Sequence, residues 1–162
     1  MTKYVSKDNE YYTPKEIVER FGHFDYDPAT TPEKAAEFGI ENFDTIETDG
    51  LSKEWNYKKI WINPPFTTKH LFLSKAIETF KKYHSCIYIL VPIEFLTTKR
   101  FHEIMKGMGF TLFLPNGRIR FESGLGKKAT SPSFGCVILE IGNWDNMIDE
   151  SNESSDILRL KL

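Results

Sequence analysis

Two β-rich apolar runs, Lys59-Ile60-Trp61-Ile62 and Cys86 to Val91, bracket a stretch from about Lys69 to Lys82. Within that stretch apolar residues recur at 72, 73, 76, 77 and 80, with Lys75, Glu78, Lys81 and Lys82 between them. The spacing is that of an amphipathic helix. A strand, helix, strand order whose second strand is continuously apolar implies a right-handed crossover within a buried parallel sheet. The alternation extends in both directions. Thr13-Pro14-Lys15-Glu16 opens a helix with a threonine placed to cap it, a glutamate three residues on and proline in the first turn; Gly22 stops it. Phe24-Asp25-Tyr26-Asp27 reads as a short strand, Thr31-Pro32-Glu33 starts a helix through about Phe38, and Thr98 to Met108 reads as another helix. The expected fold is α/β, with a mostly parallel sheet and helices on both faces.

The last third changes character. Phe110 to Leu114 and Arg118 to Phe121 flank Pro115-Asn116-Gly117, which predicts an antiparallel pair, and Phe134 to Ile141 reads as a strong final strand. Glu122 to Ser133, rich in Gly, Ser and Lys, reads as a mobile loop. At 162 residues the chain suits one domain. We expect an extension over 1–10, a domain over 11–142 and a polar, acidic, weakly ordered tail over 143–162. No run approaches the roughly 18 apolar residues of a membrane helix, and the polar start lacks a secretory signal, so a cytoplasmic location is expected. His23, His70, His84 and His102 are spaced too widely for a local metal motif, and Cys86 and Cys136 sit in apolar runs as small hydrophobes. No metal is expected. The net charge of −2 does not announce a nucleic-acid partner, so local charge must carry that case. Oligomeric state is not legible.

In open α/β sheets ligands bind beyond the carboxyl ends of the strands. Three predicted strands end there in polar or proline-containing sequence: Asp25-Tyr26-Asp27-Pro28, Asn63-Pro64-Pro65-Phe66 and Val91-Pro92-Ile93-Glu94. These ends should lie side by side along one crevice. The middle one joins an amide, two rigid prolines and an aromatic ring. An aromatic amine is a poor nucleophile because its lone pair is delocalised, so a useful site accepts hydrogen bonds from both of its protons. The Asn63 side-chain oxygen and the Pro64 carbonyl can do so, held in place by prolines that fix the local dihedrals. Phe66 can stack on a base, worth about 1–3 kcal/mol.

The surroundings resemble the phage-type DNA N-6-adenine methyltransferases, often called Dam-like. The likeness runs from Tyr11 to about Ile141: Tyr12-Thr13-Pro14, then Phe24 to Ala29, Asp49-Gly50-Leu51 and Trp55, Ile60 to Phe66, Val91-Pro92, Gly117 to Phe121, and Ser131-Pro132-Ser133. Asn-Pro-Pro-aromatic alone also occurs in enzymes that methylate glutamine amides and RNA adenine; the order and spacing of the set are what is specific. The resemblance implies a Rossmann-like S-adenosylmethionine-dependent methyltransferase sheet with antiparallel C-terminal strands, and transfer of a methyl group to the exocyclic amino group of adenine in DNA. It implies Asn63, Pro64, Pro65 and Phe66 as the catalytic loop. It implies Tyr12, Thr13 and Pro14 over the methionine part of the cofactor, Asp27-Pro28-Ala29 as a strand-end contact, and Asp49 beside the cofactor's adenine.

Two departures stand out. The turn after the first strand, Asp-Pro-Ala-Thr-Thr-Pro, has no glycine, and the interval from Asp27 to Asn63 leaves room for little more than one helix and one or two short strands. The cofactor half is therefore reduced, and no separate target-recognition domain is apparent. DNA contacts then fall to Arg118, Arg120, Lys127 and Lys128 around the Gly/Ser-rich loop, with Lys99 and Arg100. The competing readings are an RNA or protein-amide methyltransferase, and a non-catalytic module that binds nucleic acid or the donor.

Overall fold

The computed structural model describes residues 11–123, 129–130, 134–142 and 157–161. Its elements in chain order are β1 (Tyr11–Tyr12), α1 (Lys15–Glu19), β2 (Tyr26–Asp27), α2 (Pro32–Phe38), β3 (Asn42–Phe43), β4 (Lys59–Ile62), α3 (Lys69–Tyr83), β5 (Cys86–Pro92), α4 (Lys99–Ile104), β6 (Thr111–Pro115), β7 (Phe121–Ser123), β8 (Ala129–Thr130), β9 (Cys136–Ile141) and β10 (Ile157–Lys161). Seven strands form one sheet in the order β10-β6-β9-β5-β4-β2-β3, and β1, β7 and β8 form a second, small sheet. The fold is mixed α/β. Parallel pairing joins β3, β2, β4 and β5; β9 enters antiparallel beside β5, and β6 and β10 continue the antiparallel half. Five of the seven strands thus run one way, yet the ladders divide equally between parallel and antiparallel.

Period-two alternation along the central strands sorts the core into two layers. Ile60, Ile62, Ile87, Ile89 and Val91 pack against Phe72, Leu73, Ala76 and Ile77 of α3. Trp61, Tyr88, Leu90 and Ile138 face the other way, against Val18 of α1 and against Ile119 and Phe121. Both faces of the sheet are covered. Cys86 and Cys136 are free thiols in these layers, each pushed up to about 12 by burial and so kept neutral.

Several expectations are corrected. The Pro115-Asn116-Gly117 turn does not pair its flanks: both edges of β6 are occupied by β9 and β10, and β7 pairs with β1 and β8 instead. The loop read over Glu122 to Ser133 contains parts of that small sheet, and the tail contributes β10, which runs antiparallel to β6 from Ile157↔Pro115 to Lys161↔Thr111. The strand at Phe134 to Ile141 is therefore not the last. The first helix is capped by Pro14, with no cap bond from Thr13, because the threonine side chain is buried in a cleft wall. The helix begun at Thr98 ends at Ile104 and gives way to a turn before Gly107, whose φ is +76°.

Thr98 does cap α4, its hydroxyl accepting from the Phe101 amide at 3.2 Å. Thr98→Ala should lower stability by about 1 kcal/mol. A shifted urea midpoint at constant slope would register it; an unmoved midpoint would show the cap to be idle.

Candidate active site

β2 and β4 run parallel, with Tyr26 opposite Ile60, so the residues that follow them emerge on the same edge of the sheet. A cleft of about 140 Å³ opens there. One wall is the turn after β2, with Asp27, Ala29, Thr30 and Thr31, continued by Lys34 and Phe38 of α2. The other is Trp61 and the loop Asn63-Pro64-Pro65-Phe66. Tyr11, Tyr12 and Thr13 close a third side, and Ile46 stands at the mouth, 48% exposed. Trp61 and Asn63 share this side because strand residues two apart point the same way.

The Asn63 amide is held in one orientation. Its Nδ2 donates to the Tyr11 carbonyl at 2.6 Å. A carbonyl can only accept, so the amide must turn its N–H to Tyr11 and leave Oδ1 as the outward acceptor. The ring of Tyr11 packs on Phe66 at 5.3 Å, and Phe134 meets Phe66 edge-on at 5.0 Å. Lys69 Nζ donates to the Phe66 carbonyl at 2.7 Å and lies 5.0 Å from the centre of the Phe95 ring. The catalytic-loop candidates are therefore tied at both ends, by Tyr11 and by Lys69.

Opposite them, Asp27 is 2% exposed, and burial pushes its carboxyl up to about 7 in spite of a hydrogen bond from the Ala29 amide at 2.9 Å. That bond is an Asx turn, which lets Asp27-Pro28-Ala29 reverse without the glycine that the sequence lacks. Among the described residues the other charged group on the cleft wall is Lys34, whose ammonium is engaged by Glu37 at 2.7 Å and by Glu122. Burial opposes the Lys34 charge, but the two carboxylates outweigh it and raise its pKa. Two buried polar atoms on the wall have no hydrogen-bond partner among the described residues: Thr13 Oγ1 and Trp61 Nε1. Groups of this kind are costly unless something satisfies them, about 1–3 kcal/mol each.

The sequence candidates divide as follows. Asn63 to Phe66, Tyr12, Thr13, Asp27 and Ala29 converge on the cleft. Pro14, Pro28 and Asp49 do not line it. Pro14 caps α1, and Asp49 is exposed with φ +53° at the start of a 3-10 turn, Gly50–Ser52. That turn is pressed on Pro28, because a Cβ at Gly50 would fall 2.0 Å from the Pro28 carbonyl oxygen. The three strand ends do lie side by side, because β5, β4 and β2 are parallel neighbours, but Val91 to Glu94 does not line this cleft. Lys99 and Arg100 are exposed at the start of α4, Arg118 and Arg120 line a separate groove, and Lys127, Lys128 and Ser131 to Ser133 lie outside the described residues. Tyr11, Trp61, Lys34 and Lys69 are not singled out by sequence. For Trp61 the signal is present, two residues before Asn63 in one strand; for Lys34 there is none.

The chain is a mixed α/β protein with a cleft at the carboxyl edge of its parallel strands, the place where open α/β sheets take their ligands. Comparison with known proteins is more specific. The chain belongs to the DNA N-6-adenine-methyltransferase (Dam) family, whose model matches residues 2–154. It is similar to a DNA N-6-adenine-methyltransferase of Escherichia phage T1, 32% identical over 87 residues, and to another of Haemophilus phage HP1 (strain HP1c1), 26% identical over 82 residues. Each match covers 51% of this chain, and 35% and 47% respectively of the relative, so the chain spans half or less of the length of the relatives it matches. Among the described residues no helix is long and apolar enough to cross a membrane, and no cluster of three His, Cys, Asp or Glu could hold a metal.

Proposed function

We propose that this chain is an S-adenosylmethionine-dependent methyltransferase acting on the exocyclic amino group of adenine in DNA. The observation that carries the reading is the oriented amide of Asn63, bonded through Nδ2 to the Tyr11 carbonyl in the cleft wall; its oxygen, with the carbonyl of Pro64, would supply two acceptors for the two protons of a planar amine. Neither acceptor takes a proton away at neutral pH, so their task is to hold the amine with its lone pair aimed into the cleft. Phe66 supplies a face for the base. S-adenosylmethionine, when bound, supplies a methyl group activated by a sulfonium charge. The residues present fit it: a buried carboxylate, two orphaned polar atoms and an aromatic wall suit a cationic ligand with polar ends. Asp27, Ala29, Tyr12 and Thr13 would hold it, whereas Pro14, Pro28 and Asp49 do not line the cleft.

In this reading the strands β3-β2-β4-β5 are a Rossmann-like sheet with a shortened cofactor half, residues 11–142 are the catalytic domain, and the enzyme works in the cytoplasm. Lys99, Arg100, Arg118 and Arg120, together with Lys127 and Lys128, take part in DNA binding.

The test is incubation of the purified chain with labelled donor and with DNA, RNA or protein separately. Label recovered as N6-methyladenine in DNA is expected. Label confined to RNA or protein would overturn the substrate, and donor binding without turnover would leave a non-catalytic module. Phe66→Leu, which keeps apolar contact with Tyr11 and Phe134 but removes the ring, should weaken DNA binding by about tenfold, the lower end of what a stacked base is worth. Fluorescence anisotropy on a labelled duplex would measure it, and unchanged affinity would remove Phe66 from base contact.

A further inference from the structure

We propose that Arg20, Arg118 and Arg120 form a groove for the phosphodiester backbone of the substrate DNA, next to the cleft and distinct from it. The inference rests on the methyl-transfer reading for the identity of its occupant. The groove has a volume of about 170 Å³ and lies between α1 and the loop that follows β6. Among the described residues its charged lining consists of these three guanidinium groups and one carboxylate, Glu16, a local excess of positive charge on a chain whose net charge is −2. Arg118 and Arg120 are exposed while Ile119 and Phe121, between and after them, are buried at 5% and 0%. The alternation anchors the loop through its apolar residues and presents both arginines on the outer side. Arg20 meets them from the end of α1, a contribution that sequence spacing does not reveal.

Three features select a backbone over other anions. No aromatic residue among those described lines the groove, so it offers no face for a base or a nucleotide ring. Gly117 takes φ +92°, and a Cβ there would meet nothing within 4 Å, so the groove floor at the turn is open main chain. Guanidinium forks match phosphate oxygens in pairs. Position selects the occupant. Tyr12 and Thr13 line the cleft and the next residue, Pro14, lines the groove, so the two openings adjoin along this segment of chain. A strand whose target base enters the cleft would lead its flanking phosphates into this groove.

The test compares the full chain carrying Arg20→Gln, Arg118→Gln and Arg120→Gln with a charge-matched control carrying Lys53→Gln, Lys58→Gln and Lys81→Gln, all exposed lysines away from both clefts. Duplex affinity is measured by anisotropy across a salt series, alongside donor binding by calorimetry and methyl transfer at saturating DNA. The arginine variant should bind DNA about 10²-fold more weakly at low salt. The slope of log affinity against log salt should shrink by about 0.9 for each phosphate that is no longer neutralised, while donor affinity stays as in the parent. A folded arginine variant with the parent's affinity and slope, or one that loses no more than the lysine control, would overturn the groove. Loss seen with RNA but not with DNA would overturn its assigned occupant. If the parent transfers no methyl group yet the arginine variant loses salt-dependent DNA binding, the groove stands and the methyl-transfer reading falls.

Discussion

Asn63→Ala should lower the rate of methyl transfer by about 10²–10³-fold, the loss expected when one preorganised partner of the reacting group is removed, and leave donor affinity at the parent value. The separation follows from geometry. Asn63 lies across the cleft from Asp27 and the turn after β2, and its side chain is bonded to the Tyr11 carbonyl rather than to any residue proposed to hold the donor. Single-turnover transfer to an adenine-containing duplex measures the first quantity and calorimetry the second. Asn63→Asp sharpens the test. A carboxylate can accept from the amine but cannot donate to Tyr11, so the tether at 2.6 Å is replaced by two acceptors facing each other. That variant should fall between the parent and Asn63→Ala in rate, with rising pH deepening the loss as the carboxylate ionises. Full activity in Asn63→Ala would mean that the amine is held elsewhere, and the proposed chemistry would fail with it.

The parts of this arrangement that are readable in the sequence are those where one local pattern and one burial pattern coincide. β4, α3 and β5 fall within a residue of their predicted bounds because period-two and period-3.6 apolar spacing each face a buried layer. The Thr31-Pro32 start of α2 is a local capping event, with the Thr31 hydroxyl accepting from the Lys34 amide at 3.2 Å. The small sheet is not readable in the same way. β1 and β8 have two residues each and β7 has three, too few to show a period, and their pairing joins positions more than a hundred residues apart in the case of Tyr11 and Ser123. Asn116-Gly117 looks like a tight hairpin because turn chemistry is local, whereas the choice of partner for β6 is made by β9 and by a strand beyond an acidic stretch. The proposed catalytic loop is legible as a strand-end motif. Its supports are not, because the Tyr11 carbonyl and the Lys69 ammonium act on it through contacts that carry no sequence pattern.

The affinity of the cleft for a cationic donor should fall about tenfold between pH 8 and pH 6, and Asp27→Asn should abolish that dependence. Burial pushes Asp27 up to about 7 from its ordinary value of 3.8, so the folded chain holds a proton that the unfolded chain releases at lower pH. Two opposite consequences follow from linkage. Stability is greatest when the carboxyl is neutral and declines as pH rises from about 4 to 7, where the folded state binds more protons than the unfolded one. Donor binding runs the other way, because a sulfonium beside Asp27 favours the carboxylate and a proton competes with it: each pH unit below 7 costs a factor approaching ten, and above about 7.5 the affinity levels off. Asp27→Asn keeps an acceptor for the Ala29 amide, so the turn survives, but removes the charge. Donor affinity at pH 8 should weaken by about 1.5–3 kcal/mol, the range for a hydrogen bond to a charged group, while the unliganded variant becomes more stable than the parent at pH 8 because a desolvated charge is gone. Calorimetric titrations with donor at pH 6, 7 and 8, paired with thermal unfolding at the same values, separate the two effects. A parent whose donor affinity is flat across that range would show that the buried carboxyl does not face the cation, even if the enzyme transfers methyl groups.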